Sequence, residues 1–163
     1  MADGHSKPSV GREEYRAAGR LFASGVTVVT VARDGGFHGM TATAVAFVSL
    51  EPPLLLVCLE KNSRTRVFVE QKGHFAVNIL SAEQEPIAKA FALAGDKSLE
   101  GIPHHLDAHA SPLFDDAIAC LSCRTTDVTE AGDHGIFVAE VLRVETRPGR
   151  PLVYFARNYQ TLS

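Results

Sequence analysis

The chain has 163 residues, 45% of them hydrophobic, and a formal net charge of −3, which fits one globular domain with a core of its own. Sixteen Lys and Arg against nineteen Asp and Glu leave no basic face for nucleic acid. No apolar run nears the roughly 20 residues that cross a bilayer, and the polar start 1–11, which carries Pro8, does not read as a signal peptide. A cytoplasmic protein is expected, with a short N-terminal tail and a single domain over 12–163.

After the tail, Glu13 to Phe22 places Tyr15, Ala18, Leu21 and Phe22 at helical spacing and predicts a short amphipathic helix that ends near Ser24-Gly25. Val26 to Arg33 is dense in Val and Thr, which suit a pleated surface, and predicts a long strand. Asp34-Gly35-Gly36 then turns the chain into a partner strand from Phe37. These glycines do not form a dinucleotide-binding loop, because G-x-G-x-x-G must lead from a strand into a helix, and Thr- and Val-rich sequence follows instead.

Leu54 to Glu60 is a continuous apolar run between Pro52-Pro53 and Lys61-Asn62, which predicts a central strand buried on both faces. Asn62-Ser63 caps a predicted helix from Arg64 to Gln71, closed by Gly73, and His74 to Leu80 reads as a strand. Ser81-Ala-Glu-Gln84 resembles a capping box for a second helix that turns Ile87, Ala88 and Phe91 inward, with Pro86 in its first turn. Leu93 to Asp116, rich in Gly, Pro, His and Asp, predicts a long irregular loop. Ala117 to Val128 and Gly135 to Val144 predict a hairpin across Thr129 to His134, and Leu152 to Phe155 a last strand. Many strands against a few short helices predict a mainly β fold, a closed or partly closed antiparallel barrel.

The three cysteines are Cys58, Cys120 and Cys123. Cys120-Leu-Ser-Cys123 matches C-x-x-C, but side chains three apart on a strand face opposite ways, so reduced packing residues are expected rather than a redox or zinc pair. His104-His105-Leu-Asp107-Ala-His109 has metal-binding residue types without partners to orient them, and no metal is expected. Ser24-Gly25 lacks a nucleophile elbow and Asp115-Asp116 reads as a solvated turn, so no hydrolytic constellation emerges.

Seven short motifs follow one another: Phe22-Ala-Ser-Gly-Val-Thr-Val-Val-Thr30, Gly39-Met-Thr-Ala42, Ser49-Leu-Glu-Pro-Pro53, Asn62-Ser-Arg-Thr65, Phe75-Ala-Val-Asn78, Gly132-Asp-His134, and Pro151-Leu-Val-Tyr-Phe155 with Tyr159. In this order and spacing the chain from Glu13 onward resembles the flavin reductase-like family of split-barrel flavin-binding proteins. The resemblance implies a split β-barrel of Greek-key type, usually a homodimer. It implies an NAD(P)H:flavin oxidoreductase, in which hydride passes from NADH or NADPH to FMN or FAD and reduced flavin goes to a partner monooxygenase.

The resemblance also implies a site. Thr41, Ala42, Thr43, Ala44, Ser49 and Leu50 would wall the flavin, and Lys61, Asn62, Ser63, Arg64 and Thr65 would receive its phosphate. Phe91, Asp96 and Lys97 belong to a segment that closes over it, His134 is the catalytic candidate beside the nicotinamide, and Tyr159 is a second dinucleotide contact.

Residue chemistry agrees at two points. Small residues let backbone approach a ring while hydroxyls donate, and a helix N-terminus favours an anion. Plainer roles compete throughout: strand formation for Thr41 to Leu50, helix capping for Asn62 and Ser63, core packing for Phe91 and Tyr159, a solvated turn for His134. Where many relatives carry Ser or Thr this chain has Ala44, Val45 and Phe47, which shifts flavin contacts to the backbone. Hydride transfer asks the protein for positioning rather than a nucleophile. A flavin carrier or sensor without nicotinamide oxidation would share the same slot, and a reductase for another acceptor, such as a metal or cobalamin, is a third reading.

Overall fold

A computed structural model describes residues 10–162, so most of the expected tail lies outside it. Helix α1 (Arg12–Arg20) carries Glu13 and Glu14 in its first turn and Arg20 in its last, as the helix dipole favours. None of its residues is buried: Tyr15 is 75% exposed, and Phe22 just beyond it 80%. The apolar face that the spacing predicts is present, but this chain does not cover it.

A short β1 (Ser24–Gly25) leads into the hairpin of β2 (Thr27–Arg33) and β3 (Gly36–Ala42). Two residues, Thr43 and Ala44, separate β3 from β4 (Val45–Leu50), which pairs with β5 (Pro53–Glu60). Helix α2 (Arg64–Lys72) starts where the Ser63 hydroxyl accepts the Arg66 N–H at 3.2 Å and stops at Gly73, whose φ of 67° suits a residue without Cβ. Strand β6 (His74–Ile79) follows, then the capping box of Ser81 and Gln84, which opens a 3-10 turn (Ala82–Gln84) running on into α3 (Glu85–Ala92).

The segment after α3 is more ordered than its composition predicts. It holds a hairpin of β7 (His104–Leu106) and β8 (Pro112–Phe114), and β8 is wholly buried, with Leu113 and Phe114 as apolar anchors. Asn78 fastens it: the side chain accepts the Phe114 N–H at 2.9 Å and donates to the Pro112 carbonyl at 3.3 Å. Strands β9 (Ala119–Ala131) and β10 (His134–Thr146) run 13 residues each, longer than predicted, because the two-residue turn Gly132-Asp133 carries the ladder to its tip. Strand β11 (Leu152–Phe155) has a partner the sequence did not reveal, β12 (Asn158–Thr161).

Seven strands form one antiparallel sheet in the order β3-β2-β6-β9-β10-β5-β4. Its two edges, β3 and β4, are joined by Thr43 and Ala44 alone, so the sheet curls and its edges turn toward each other. One face of the curled sheet closes on a single cluster: Val29 and Val31 from β2, Leu55 and Val57 from β5, Phe75 from β6 and Phe137 from β10. Val69 of α2 joins the same cluster. The predicted antiparallel barrel is the observed fold.

A second cluster lies against the outer face, where Val28, Ala76, Phe91, Phe114 and Leu152 bind α3, β8 and the small sheet β1-β11-β12 to the barrel. Cys120 belongs to this cluster and Cys123 to the barrel interior, because three residues along a strand reverse the face. Both are free thiols, and burial pushes Cys123 up to about 12.

Strand β5 corrects the sequence reading. It is not central but one strand from the edge, and its faces differ: Leu55, Val57 and Leu59 are buried, while Leu54, Leu56 and Cys58 are only half-buried. That outer face floors the clefts described next. No helix among the described residues is long and apolar enough to cross a membrane.

Candidate functional site

Two clefts lie one after the other along the outer face of β5. Leu56 and Cys58 line the larger, about 830 Å³, and Glu60, two residues on and therefore on the same face, lines the smaller, about 340 Å³. The larger is walled by Thr43 to Ala46 at the seam of the barrel, by α1, and by Tyr154 and Arg157. The smaller lies between β3, the start of α2, and the end of α3 with the chain that follows it.

Of the residues expected at the site, Thr41, Asn62, Ser63, Arg64, Thr65, Phe91 and Lys97 meet in the smaller cleft, and Thr43 and Ala44 line the larger. Asp96 acts from the rim, where its carboxylate pairs with Arg64 at 3.1 Å and lies 4.0 Å from Arg33. Thr41 is present but committed: its hydroxyl donates to the Ala88 carbonyl at 2.6 Å and ties β3 to α3.

Six expected residues line neither cleft. Ala42 points into the barrel, because alternation along β3 turns it away from Thr41. Ser49 and Leu50 follow a register shift in β4, and Leu50 is 91% exposed. Lys61 turns to Glu130 at 3.2 Å, a carboxylate that Arg66 also pairs with. His134 faces Glu60 across the β5–β10 pair, with its Nδ1 bound to Asp133 Oδ1 at 2.7 Å. Tyr159 packs on Tyr154, ring centroids 5.2 Å apart, and it is Tyr154 that reaches the larger cleft.

The smaller cleft suits an anion. It sits at the N-terminus of a nine-residue helix, with Arg64 and Lys97 in its wall and Arg33 near by. His38, which the sequence reading passed over, is 6% exposed and lines the cleft, and its buried Nδ1 has no hydrogen-bond partner among the described residues. Burial pushes its pKa down, and Arg64, Lys97 and Arg33 push the same way against Asp96. Lys97 is pushed down as well, by burial and then by Arg64. Excess positive charge and an unpartnered polar group are what a phosphate would relieve. Gly39 completes the cradle: a Cβ there would come 2.9 Å from the Phe91 ring and 3.0 Å from the Val29 carbonyl oxygen, so only glycine lets the ring seat against β3.

His38 has a measurable consequence. An unfolded histidine takes up a proton near pH 6.5, but the folded chain resists it. The contribution of neutral His38 to stability is therefore full above about pH 6.5 and is lost as pH falls toward the depressed folded value. His38→Gln is expected to flatten the decline in thermal midpoint between about pH 7 and pH 5. An unchanged slope would assign the decline to other groups.

The histidines of the long segment are engaged elsewhere. His105 bonds Asp115 at 2.7 Å and Glu145 at 3.3 Å, and His109 stacks on His74 at 3.6 Å between centroids. Among the described residues no group of three or more His, Cys, Asp or Glu is placed to hold a metal.

Comparison with known proteins bears on nearly the whole chain. Positions 18–163 match the flavin reductase like domain. The chain is 39% identical over 144 residues to the reductase component of 4-nitrophenol 4-monooxygenase/4-nitrocatechol 2-monooxygenase of Rhodococcus opacus, a match covering 88% of this chain and 77% of that protein. It is 37% identical over 164 residues to the NADH:riboflavin 5'-phosphate oxidoreductase of Streptomyces pristinaespiralis, covering 98% and 93%. Among solved structures, the NADH:FAD oxidoreductase of Streptomyces globisporus superposes with a TM-score of 0.89 at 32% identity, covering 96% of each chain. A barrel with its seam at Thr43-Ala44, a cationic helix start beside it and a family match over nearly the whole chain agree: the chain belongs to the flavin reductase like domain family.

Proposed function

We propose that the protein is an NADH-oxidising flavin reductase that supplies reduced flavin to an oxygenase component. One observation carries the reading: a cleft large enough for a ring system and a phosphate-competent helix end follow each other along one face of β5. Backbone at Thr43 to Ala46, over Leu56 and Cys58, holds the isoalloxazine, and Ser63, Arg64 and Thr65 hold the phosphate next to the ribityl chain. Bound flavin supplies the acceptor for the electron pair that reduced nicotinamide gives up as hydride. The side chains bind and align, and the half-buried β5 face keeps water from the ring.

FMN and FAD share the phosphate that the helix end receives, and the relatives are named for both: one for riboflavin 5'-phosphate and one for FAD, each with NADH. His134 stands opposite Glu60, and we keep it as a contact for the nicotinamide from the rim. A homodimer would cover Phe47, Val48 and Leu50, which leave β4 exposed. The monooxygenase reductase named among the relatives supports delivery of reduced flavin to a partner.

Anaerobic mixing of the purified protein with FMN or FAD and NADH or NADPH tests the reading. The expected result is bleaching of the oxidised flavin at a rate proportional to protein. Flavin binding without bleaching would favour a carrier, and no binding of either flavin would end the proposal.

A further inference from the structure

Strand β7 and the turn after it lie as a strap against the barrel, away from both clefts described above. All three residues of β7 are exposed, whereas its partner β8 is buried and fixed by Asn78. The turn holds itself together, because the Asp107 carboxylate accepts the N–H groups of His109 at 2.8 Å and Ser111 at 2.9 Å. A cleft of about 270 Å³ separates strap from sheet, lined on one side by His105, Asp107 and His109 and on the other by Ser122 of β9 and Glu145 of β10. Ser122 is 5% exposed and its hydroxyl has no hydrogen-bond partner among the described residues. Opening the strap would therefore wet a group that closure leaves dry, which offsets part of what opening loses.

One side chain closes the strap. The His105 ring meets Asp115 Oδ1 with Nδ1 at 2.7 Å and Glu145 Oε1 with Nε2 at 3.3 Å, joining β7 to the chain after β8 and to the end of β10. A neutral imidazole carries one N–H, so it serves one carboxylate and turns a lone pair toward the other; only the imidazolium donates to both. We propose that β7 and its turn form a pH-operated strap, shut over the cleft while both ring nitrogens of His105 are protonated and released when one proton leaves. The bond to Asp115 raises the pKa of His105, burial opposes the rise, and Glu145 adds to it. Glu145 is itself held by Arg143 and Arg147, each at 3.2 Å, and Asp107 is the other carboxylate in the cleft wall. Toward β6 the strap offers His109, stacked on His74 at 3.6 Å between centroids. Charge on both of those rings would part them, so that contact weakens toward acid, the opposite sense. Because the closed strap binds the His105 proton more tightly than the open one, its contribution is full below about pH 6.5 and is lost as pH rises through the raised value.

Hydrogen exchange of the whole protein, followed by mass spectrometry from about pH 6 to about pH 9 and corrected for intrinsic rates, tests the strap. Protection of the amides of 104–113 relative to those of β6 is expected to fall by about tenfold or more as pH rises, the value of one bond to a charged group. NMR titration of the His105 ring should give a midpoint above about 6.5. His105→Gln is expected to exchange over 104–113 at the rate of deprotonated wild type and to lose the pH dependence. Glu145→Gln supplies an amide that can donate to a neutral ring, so it should move the transition to lower pH without abolishing it. A His105 midpoint at or below about 6.5, protection constant across the range, or a transition that Glu145→Gln leaves in place would overturn the proposal. A fall that persists in His105→Gln would overturn it too, by assigning the change to another group. So would an equal fall in β6, which would mean loss of the whole fold rather than release of the strap.

Discussion

Arg64→Gln is expected to lower FMN affinity by about 10- to 100-fold while leaving riboflavin affinity unchanged, both read by quenching of flavin fluorescence. A hydrogen bond to a charged group contributes about 1.5–3 kcal/mol, and each 1.4 kcal/mol is a factor of ten. Arg64 sits at the N-terminus of α2 beside the capping hydroxyl of Ser63, and its present partner is the exposed Asp96 at 3.1 Å, which a phosphate can replace. Raising ionic strength should weaken FMN binding and spare riboflavin, since only the phosphate is screened. An equal loss for both flavins would mean that Arg64 shapes the cleft instead of reading the phosphate. No loss for either would remove the phosphate from this helix end.

Phe75→Ala is expected to cost about 3–5 kcal/mol, a large share of the roughly 5–15 kcal/mol that holds a domain together. Phe75 is fully buried in the barrel interior with Val29, Leu55, Leu121 and Phe137, which come from four further strands. Such a loss lowers the midpoint of a thermal melt by roughly 6–20 °C in a chain of this size. Val144→Thr, at a site 55% exposed on β10, is the matched control and should stay within about 0.5 kcal/mol. A loss below about 1 kcal/mol at Phe75 would mean that the strands do not close on one packed interior.

What could be read from the sequence divides along physical lines. Strands β2 and β6 and helix α2 show themselves because their signals are local: dense Val and Thr, a Ser63 cap, a Gly73 stop. Strand β5 shows its existence but not its place, since an apolar run looks the same whether protein covers both faces or one face floors a cleft. Hairpin β7–β8 is hidden by surrounding Gly, Pro, His and Asp, although Leu113 and Phe114 are deep in the core. Strand β12 is hidden because Ala156-Arg157 lacks the Gly or Asn that announces a left-handed turn.

The site divides the same way. Ser63, Arg64, Thr65, Thr43 and Ala44 are legible because a helix start and a strand junction position them locally. Ala42, Ser49, Leu50, Lys61, His134 and Tyr159 belong to the right motifs, yet a motif does not say which way a side chain turns. Strand alternation, the register shift in β4 and the pull of Glu130 and Asp133 decide that. His38, Tyr154 and Arg157 enter only through tertiary contact, and no neighbouring residue announces them.

The two-residue join between β3 and β4 makes the recognition surface a property of closure itself. The larger cleft takes a wall from β4 and the smaller a wall from β3, and the curvature of the five strands between these edges sets the two clefts side by side. Grafting the loop residues onto another framework would therefore carry the letters and leave the shape behind. Remodelling of specificity here has to reckon with distant interior side chains as much as with those that touch the guest.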